Sequence, residues 1–279
     1  MRFRDFLRGA ATLAVSALMV LGAPAHADKL QDILKRGHLI VGTTSSSPPF
    51  GFKDEKGELQ GFDIDMSRLI AKALFGDPTK VKFEILTNEA RWPALQNDQV
   101  DMVAQFATIS PARLVRVAFT PRYFDTGMTV VVSKNSKIKS FADLNNAGVR
   151  FATLTVPEQI DLAKRMAPKA QVVSFGGVDQ QALALRSGRA DAFLVDLPIG
   201  MWYGASNADM RVVPEVFGGF QNYGIAYKQG ELAWSQFLDG FVTELTTGYS
   251  YVDYTTLYKK YFNVEPPPQR SYKLKTAAQ

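Results

Sequence analysis

The sequence predicts an α/β fold in which the sheets are largely parallel. Short apolar segments with strand character alternate with segments of helical periodicity along nearly the whole chain, which is typical of α/β architecture. The clearest helix carries apolar residues at the spacing of one helical face: Met66, Leu69, Ile70, Ala73 and Leu74. Asp63 and Asp65 lie at its start, where negative charge complements the helix dipole.

The other elements are predicted in order along the chain. A short helix, LQDILKR, precedes the strand LIVGTT, and Gly37 separates them. A turn-rich stretch follows, with a small hairpin predicted around DEKG at 54–57. Gly188 lies after the helix ALALRS, where a glycine that ends a helix is expected. Further strands are predicted at VKFEIL, VDMVA, MTVVV, VRFATL, QVVSF, ADAFLV and GIAY.

The first 27 residues have the pattern of a secretory signal peptide. Arg2, Arg4 and Arg8 precede the apolar run AATLAVSALMVLGA, which ends in the small-residue site APAHA before Asp28. The run is too short and too rich in alanine to favour a permanent membrane span, and an uncleaved anchor is the minor alternative. Residues 1–27 are therefore predicted to be removed on export, which leaves a soluble mature chain.

The composition limits the classes of function. The chain has 279 residues, of which 46% are hydrophobic and 21% charged, which is ordinary for a globular protein. It has no cysteine, which excludes disulfides, thiolate catalysis and a lipid-carrying cysteine. The formal charge is +5, and removal of three arginines and Asp5 with the signal peptide leaves a mild +3. We expect no nucleic-acid partner, because no long basic run is present.

Few catalytic arrangements are available to the mature chain. It keeps one histidine, His38, so a Ser-His-Asp triad would have to use that residue, and a histidine-rich zinc site is excluded. Neither a GxxxxGK[ST] loop nor a GxGxxG turn is present. Carboxylate acid–base chemistry stays open, but no cofactor, metal or catalytic residue is predicted.

The segment TISPAR has the parts of a carboxylate-binding site. Ser110 as N-cap and Pro111 at the first helical position leave backbone amides near the hydroxyl of Thr108 and the guanidinium of Arg113. Arg113 can bind a planar carboxylate through two charge-assisted hydrogen bonds. The alternative is an ordinary helix cap with a solvated arginine, and a short motif alone does not decide between them.

Asp196 is the candidate partner for a positively charged group. It ends the apolar strand ADAFLV, and open α/β sheets bind ligands at the carboxyl ends of their strands. It is equally well placed to cap the following segment, LPIGMWY. Both interpretations stay open at this point.

Five groups of motifs follow one another along the chain: GHLIVGTT with PPFGFKDEKGELQGFDIDMSRLIAKAL, NEARWPALQNDQVDMV, TISPAR with VAFTPRYF, SGRADAFLVD, and YGIAYKQGEL with KKYF. In this order they resemble the polar amino-acid family of bacterial periplasmic solute-binding proteins, the receptors of ABC importers. The resemblance covers about residues 30–263.

The resemblance implies the type II fold of these proteins, in which two α/β lobes are joined by two crossover strands and the ligand binds in the cleft between them. Lobe one would comprise residues 28–124 plus 222–266, and lobe two residues 125–221. Residues 267–279 would form a C-terminal tail.

The resemblance also assigns residues to the ligand site. Arg113 corresponds to the arginine that holds the α-carboxylate, Thr108 to a hydroxyl that contacts carboxylate and amino group, and Asp196 to the anion that pairs with the α-ammonium. Thr155 matches a turn in lobe two whose amides help to bind the carboxylate.

The sequence departs from the family pattern where the ligand's side chain would lie. Ser47 occupies the place of an aromatic residue that commonly stacks on the ligand. Phe50, Phe52 or Trp92 could supply that contact, although each is more often a packing residue. Two further positions fall where ligand contacts are expected: Gln105 and Phe106.

The function implied is that of a periplasmic, monomeric, non-enzymatic component that binds an amino acid or related small zwitterion and delivers it to an inner-membrane ABC permease. One alternative is an enzyme on the same scaffold resembling cyclohexadienyl dehydratases, which act on prephenate or arogenate, with Glu158 or Glu89 as the acid. Another is a sensor that hands its closed form to a receptor.

Overall fold

The computed structural model describes residues 28–266, apart from the side chains of residues 218–220. The predicted signal peptide and tail lie outside these residues. The nine α-helices in this range are α1 (Lys29–Arg36), α2 (Phe62–Phe75), α3 (Arg91–Gln96), α4 (Pro111–Leu114), α5 (Pro157–Met166), α6 (Val178–Arg186), α7 (Leu197–Ser206), α8 (Leu232–Thr247) and α9 (Tyr251–Phe262).

Fourteen strands in the same range form three sheets. They are β1 (Leu39–Thr43), β2 (Ser46–Ser47), β3 (Gly51–Lys53), β4 (Leu59–Gln60), β5 (Val81–Ile85), β6 (Met102–Val103), β7 (Ala118–Phe119), β8 (Phe124–Ser133), β9 (Arg150–Leu154), β10 (Gln171–Phe175), β11 (Ala192–Asp196), β12 (Met210–Val212), β13 (Phe217–Tyr223) and β14 (Ala226–Tyr227).

The first sheet has the order β5-β1-β6-β14-β7. Its first three strands are parallel, as predicted for strands linked through helices, whereas β14 runs antiparallel to both β6 and β7. The predicted hairpin is present as β3 and β4, with Gly57 at a left-handed φ of 83° in its turn. The first sheet therefore combines four strands from the N-terminal half of the chain with β14, which comes from its C-terminal part.

The second sheet has the order β10-β9-β11-β8-β12, and β13 also pairs with β8. The strands β9, β10 and β11 are parallel, but β8 is antiparallel to each of its neighbours. The prediction of largely parallel sheets is thus wrong for this part, because β8 and β13 carry the chain from the first sheet to the second and back. Gly188 follows α6 with a φ of 66°, which confirms the predicted helix end.

The two crossover strands are hydrogen-bonded neighbours. In their antiparallel register Phe124 lies opposite Tyr223, and Thr126 lies opposite Gln221. The rings of Phe124, Tyr223 and Phe50 form a group that we call the junction cluster. Phe124 stacks on Tyr223 with 5.8 Å between ring centres, and Phe50 meets Phe124 edge-on at 5.2 Å. These positions agree with a division at residues 124/125 and 221/222, although the lobe boundaries themselves stay a prediction.

Candidate ligand-binding site

Arg113 provides the positive charge of the candidate site. It lies on α4, a helix of four residues that begins at Pro111 after the extended Ser110. The amide of Arg113 donates to the Ser110 carbonyl at 3.0 Å, so it closes the helical turn instead of facing a ligand. Such a short helix contributes little dipole, and the guanidinium is the group that can bind an anion.

The guanidinium of Arg113 is held between the two sheets. Its side chain is 11% exposed, and its Nε lies 3.4 Å from Glu158 Oε1 at the start of α5. Nη1 donates to the Thr108 carbonyl at 2.8 Å. Burial lowers the pKa of Arg113, and the negative charges of Glu158 and Asp196 oppose that effect. The arginine is therefore oriented by its neighbours and largely removed from water.

Asp196 provides the buried negative charge. It occupies the N-cap position of α7, yet within residues 28–266 its side chain makes no capping hydrogen bond, and it is 2% exposed. Burial raises its pKa to about 6, against the opposing effects of Tyr223, Arg113 and Arg91. The Tyr223 hydroxyl lies close enough to Asp196 to lower this pKa. The hydroxyl forms no hydrogen bond of acceptable geometry with any of the described residues. Asp196 is therefore a buried carboxylate that does not cap α7 within the described residues, and its contact with a ligand stays a prediction.

A small cavity brings the opposite charges together. It is lined by the ends of β9 and β11 and by helices and loops outside the strands; among the lining residues are Arg91, Phe106, Thr108, Arg113, Gln159 and Asp196. A larger cavity opens beside it and shares Arg91, Arg113 and Val156. The small cavity has a volume of about 20 Å³ and the larger one about 520 Å³, so opposite charges lie within reach of a molecule bound where the two cavities join.

The segment after β6 forms one wall of the cavity. Thr108 Oγ donates to Gln221 Oε1 at 3.3 Å, which connects this wall to the crossover strand β13. Phe106 has a positive φ of 36° and is 6% exposed. Gln105 is turned away, because its Nε2 donates to the Leu86 carbonyl at 3.2 Å. Of the segment's three predicted contact residues, Thr108 and Phe106 line the cavity.

Three other predicted residues lie away from the small cavity. Ser47 is 3% exposed and pairs with Gly51 at the β2–β3 hairpin. Phe50 is fully buried in the junction cluster, where its ring packs against that of Phe124. Thr155 is exposed beside the larger cavity, and its amide donates to the Phe175 carbonyl at 2.9 Å, so that amide is already used. Ligand contacts for these three residues stay predictions.

Arg91 is a candidate residue that the sequence did not reveal. It begins α3, is 3% exposed and lies 4.4 Å from the centre of the Trp92 ring. Nη1 donates to the Gln105 carbonyl at 3.2 Å, whereas Nε has no hydrogen-bond partner among the described residues. Burial, followed by repulsion from Arg113, lowers its pKa to about 9. Its only signal in the sequence is its place within the apolar segment RWPAL.

No resident metal site is evident in the part of the chain that the structure describes. Residues 28–266 contain no group of three or more histidine, cysteine, aspartate or glutamate side chains that could hold a metal ion. Within the same range, no helix is long and apolar enough to cross a membrane.

The family is decided by a match over most of the chain. The sequence profile described as bacterial extracellular solute-binding proteins, family 3, matches residues 39–264. The chain belongs to this family. This membership confirms the resemblance read from the motifs and the prediction of a solute-binding protein.

Curated relatives of this family 3 protein are named for the binding of amino acids. The ABC transporter glutamine-binding protein GlnH of Bacillus subtilis is 30% identical over 240 residues, covering 86% of each chain. The L-glutamate/L-aspartate-binding protein of Pseudomonas aeruginosa is 28% identical over 271 residues, covering 92% of this chain and 88% of that protein. Their names describe binding proteins and not enzymes, which supports a non-enzymatic family 3 member.

A solved structure of a similar protein confirms the type II fold. The ancestral amino acid-binding protein AncCDT-1, described as a precursor of cyclohexadienyl dehydratase, is 35% identical with a TM-score of 0.76. The match covers 84% of this chain and 99% of that one. That structure is itself described as a binding protein, and the relatives do not favour the dehydratase alternative.

Proposed function

We propose that this family 3 protein is the amino-acid-binding component of an ABC importer and acts in the periplasm as a monomer. The observation that carries the proposal is the pair of buried, opposite charges, Arg113 and Asp196, in one cavity between the sheets. The names of the relatives support an amino-acid ligand and a permease partner. The signal-like residues 1–27 support export.

The proposed binding mode places the α-carboxylate on Arg113 and the α-ammonium on Asp196. Arg113 keeps donors beyond the one used by the Thr108 carbonyl, because a guanidinium has five N–H groups. Asp196 supplies a carboxylate that makes no capping hydrogen bond to α7 within the described residues. Thr108 lies beside both groups and can bond either end of the ligand.

We also propose that the ligand's side chain carries a hydrogen-bond acceptor that meets Arg91. An unpaired Nε on a buried guanidinium is costly, and an acceptor from the ligand would satisfy it. An acidic side chain brings a negative charge that can pair with Arg91, whereas an amide brings an acceptor alone. Arg113 already faces Glu158 at 3.4 Å.

Binding is proposed to be coupled to closure of the predicted lobes. Closing the cleft removes Arg113 and Asp196 from water, which is unfavourable unless each charge is compensated. A zwitterion compensates both, so it stabilises the closed form more than the open form. Capture by closure therefore requires no covalent chemistry.

Calorimetric titration with glutamate, aspartate, glutamine, asparagine, arginine and leucine tests the proposal. We expect binding of at least one acidic or amide-bearing amino acid. In Arg91→Met, the affinity for an acidic ligand should fall at least tenfold more than that for its amide, about 1.4 kcal/mol of selectivity. Arg116→Met is the matched control, because Arg116 is exposed at the larger cavity and should leave this selectivity unchanged.

Two outcomes would count against this proposal. Failure of the wild-type protein to bind any amino acid would contradict the function itself. Equal losses for the acid and the amide in Arg91→Met would contradict the role of Arg91 while leaving the function intact.

Glu158 competes with the ligand for Arg113 in the proposed mode. Its carboxylate lies 3.4 Å from the Arg113 Nε and repels an incoming carboxylate. Its side chain is 44% exposed, so solvent screens the effect to below about 1 kcal/mol. We expect Glu158→Gln to bind an acidic amino acid roughly 2- to 5-fold more tightly at low salt, as measured by calorimetry.

The control for this effect is Asp161→Asn on the same helix, at the wall of the larger cavity. We expect its affinity to stay within about twofold of the wild type. Weaker binding by Glu158→Gln would instead indicate that Glu158 supports the closed form.

A further inference from the structure

Asp63 is a buried acid for which the proposed binding mode has no use. The sequence predicts that it lies at the start of α2 and complements the helix dipole, and it does lie in the first turn. Its side chain, however, points into the protein, and the residue is only 1% exposed. Oδ2 accepts the amide hydrogen of Phe106 at 2.7 Å, and Oδ1 accepts the hydroxyl hydrogen of Tyr123 at 2.8 Å. One carboxyl group thus joins three separate segments of the chain.

The first of these hydrogen bonds fixes a peptide group of the cavity wall. The amide of Phe106 and the carbonyl of Gln105 belong to the same peptide group. The carbonyl accepts from Arg91 Nη1 at 3.2 Å, while the amide donates to Asp63. The peptide therefore connects the Asp63 carboxylate to the Arg91 guanidinium.

This peptide needs an external restraint. Phe106 has a left-handed φ of 36°, which is unfavourable for a residue with a bulky side chain. A hydrogen bond to a carboxylate is stronger than one to a neutral acceptor, and here it is shielded from water. The hydrogen bond to Asp63 thus stabilises the backbone conformation that presents Phe106 to the cavity.

The second hydrogen bond leads to the crossover strands. Tyr123 directly precedes β8, and its amide donates to the carbonyl of Tyr223, the last residue of β13, at 2.9 Å. The Tyr254 hydroxyl donates to the Tyr123 carbonyl at 2.8 Å, which anchors this point to α9. Asp63 therefore bonds directly to the cavity wall on one side and is connected through Tyr123 to the ends of both crossover strands on the other.

We infer that Asp63 is a positioning residue of the ligand site, which fixes the Gln105–Phe106 peptide, and through it Arg91, relative to the crossover strands. The inference rests on the proposed function, because it assigns Arg91 to the ligand's side chain. It adds a residue that cannot touch the ligand but determines where a ligand-binding group lies.

A double-mutant cycle tests the inference by calorimetry, with the amino acid that binds the wild-type protein most tightly. At pH 8, above the raised pKa of Asp63 of about 7, Asp63→Asn keeps an oxygen that can accept from the Phe106 amide but removes the charge. We expect it to weaken binding at least tenfold in the wild-type background. In the Arg91→Met background the same change should weaken binding less than threefold, because the peptide no longer holds an arginine. A purely structural role would give equal losses in both backgrounds.

Asp65→Asn is the matched control. Asp65 lies in the same helical turn, and its carboxylate accepts three hydrogen bonds where that of Asp63 accepts two. Its partners Arg68, Lys260 and Tyr261 do not line the small cavity. We expect Asp65→Asn to lower the melting temperature and to leave the dissociation constant within twofold of the wild type.

Tyr123→Phe removes a single hydroxyl and keeps the test open if Asp63→Asn fails to fold. We expect a three- to tenfold weaker affinity for this variant. Wild-type affinity in folded Asp63→Asn, or in Tyr123→Phe where Asp63→Asn does not fold, would overturn the inference, as would equal losses in the two backgrounds. If the wild-type protein binds no amino acid, the proposed function fails and this inference fails with it.

Discussion

Replacing Arg113 by alanine is expected to weaken amino-acid binding at least a hundredfold, about 2.7 kcal/mol. Truncation of one partner of a buried charge pair typically costs about 2–5 kcal/mol, because the other charge is left without compensation. Here the loss would also leave Asp196 without one of the positive charges that oppose its protonation. Calorimetric titration of the purified variant measures the effect.

Arg113→Lys separates charge from shape in this prediction. Lysine keeps a positive charge but lacks the planar pair of donors that a carboxylate matches, so we expect an affinity between those of the wild type and the alanine variant. Arg116→Ala, an exposed change three residues along the chain, is the control and should bind normally. An Arg113→Ala protein that binds with wild-type affinity would refute the assignment of the carboxylate site.

Lowering the pH should weaken binding by the wild-type protein through the protonation of Asp196. Burial raises the pKa of this carboxyl to about 6, and a bound ammonium would lower it again by favouring the charged form. Ligand therefore binds the ionised form more tightly, and affinity falls as the pH drops through about 6. The limit for one group is about tenfold per pH unit.

Asp196→Asn should bind about 30- to 100-fold more weakly at pH 8 and lose this part of the pH dependence. Burial also raises the pKa of Asp63, to about 7, so a second carboxyl titrates in the same window. Asp196→Asn retains Asp63, and the difference between the two pH profiles isolates Asp196. An unchanged slope in the variant, measured by calorimetry from pH 5 to 8, would contradict the role of Asp196.

The same raised pKa affects the stability of the ligand-free protein with the opposite sign. Between the ordinary pKa of 3.8 and about 6, the folded protein holds a proton on Asp196 that the unfolded chain releases. Its contribution to folding is therefore favourable at low pH and is lost as the pH rises through about 6. Above about pH 6, where binding is expected to be tightest, the ammonium group of the ligand would compensate the ionised carboxylate of Asp196.

The α/β alternation and the two charged groups of the proposed site could be predicted from the sequence because they depend on local patterns. Apolar periodicity located the strands, and Arg113 and Asp196 stood at a helix start and a strand end, where ligand-binding groups are common. The direction of β8 was not predictable in this way, because it depends on pairing with β13, which lies far along the chain.

Residues such as Arg91 and Asp63 were missed for a different reason. Charged side chains on helices are usually solvated, and only tertiary packing places these two inside the protein. Phe50 shows the same limit, since the sequence could not show that its ring is fully buried against Phe124. Burial and partner identity are properties of the assembled fold, and local patterns carry little information about them.

The place of β14 in the first sheet has a consequence for the order of folding. This strand comes from residues 226–227 but lies between β6 and β7, in the interior of the sheet. Every strand of the second sheet, by contrast, falls within residues 124–223. During synthesis from the N-terminus, all the strands of the second sheet are therefore made before β14, the strand that completes the first sheet. The half of the protein that begins the chain is the last to be completed.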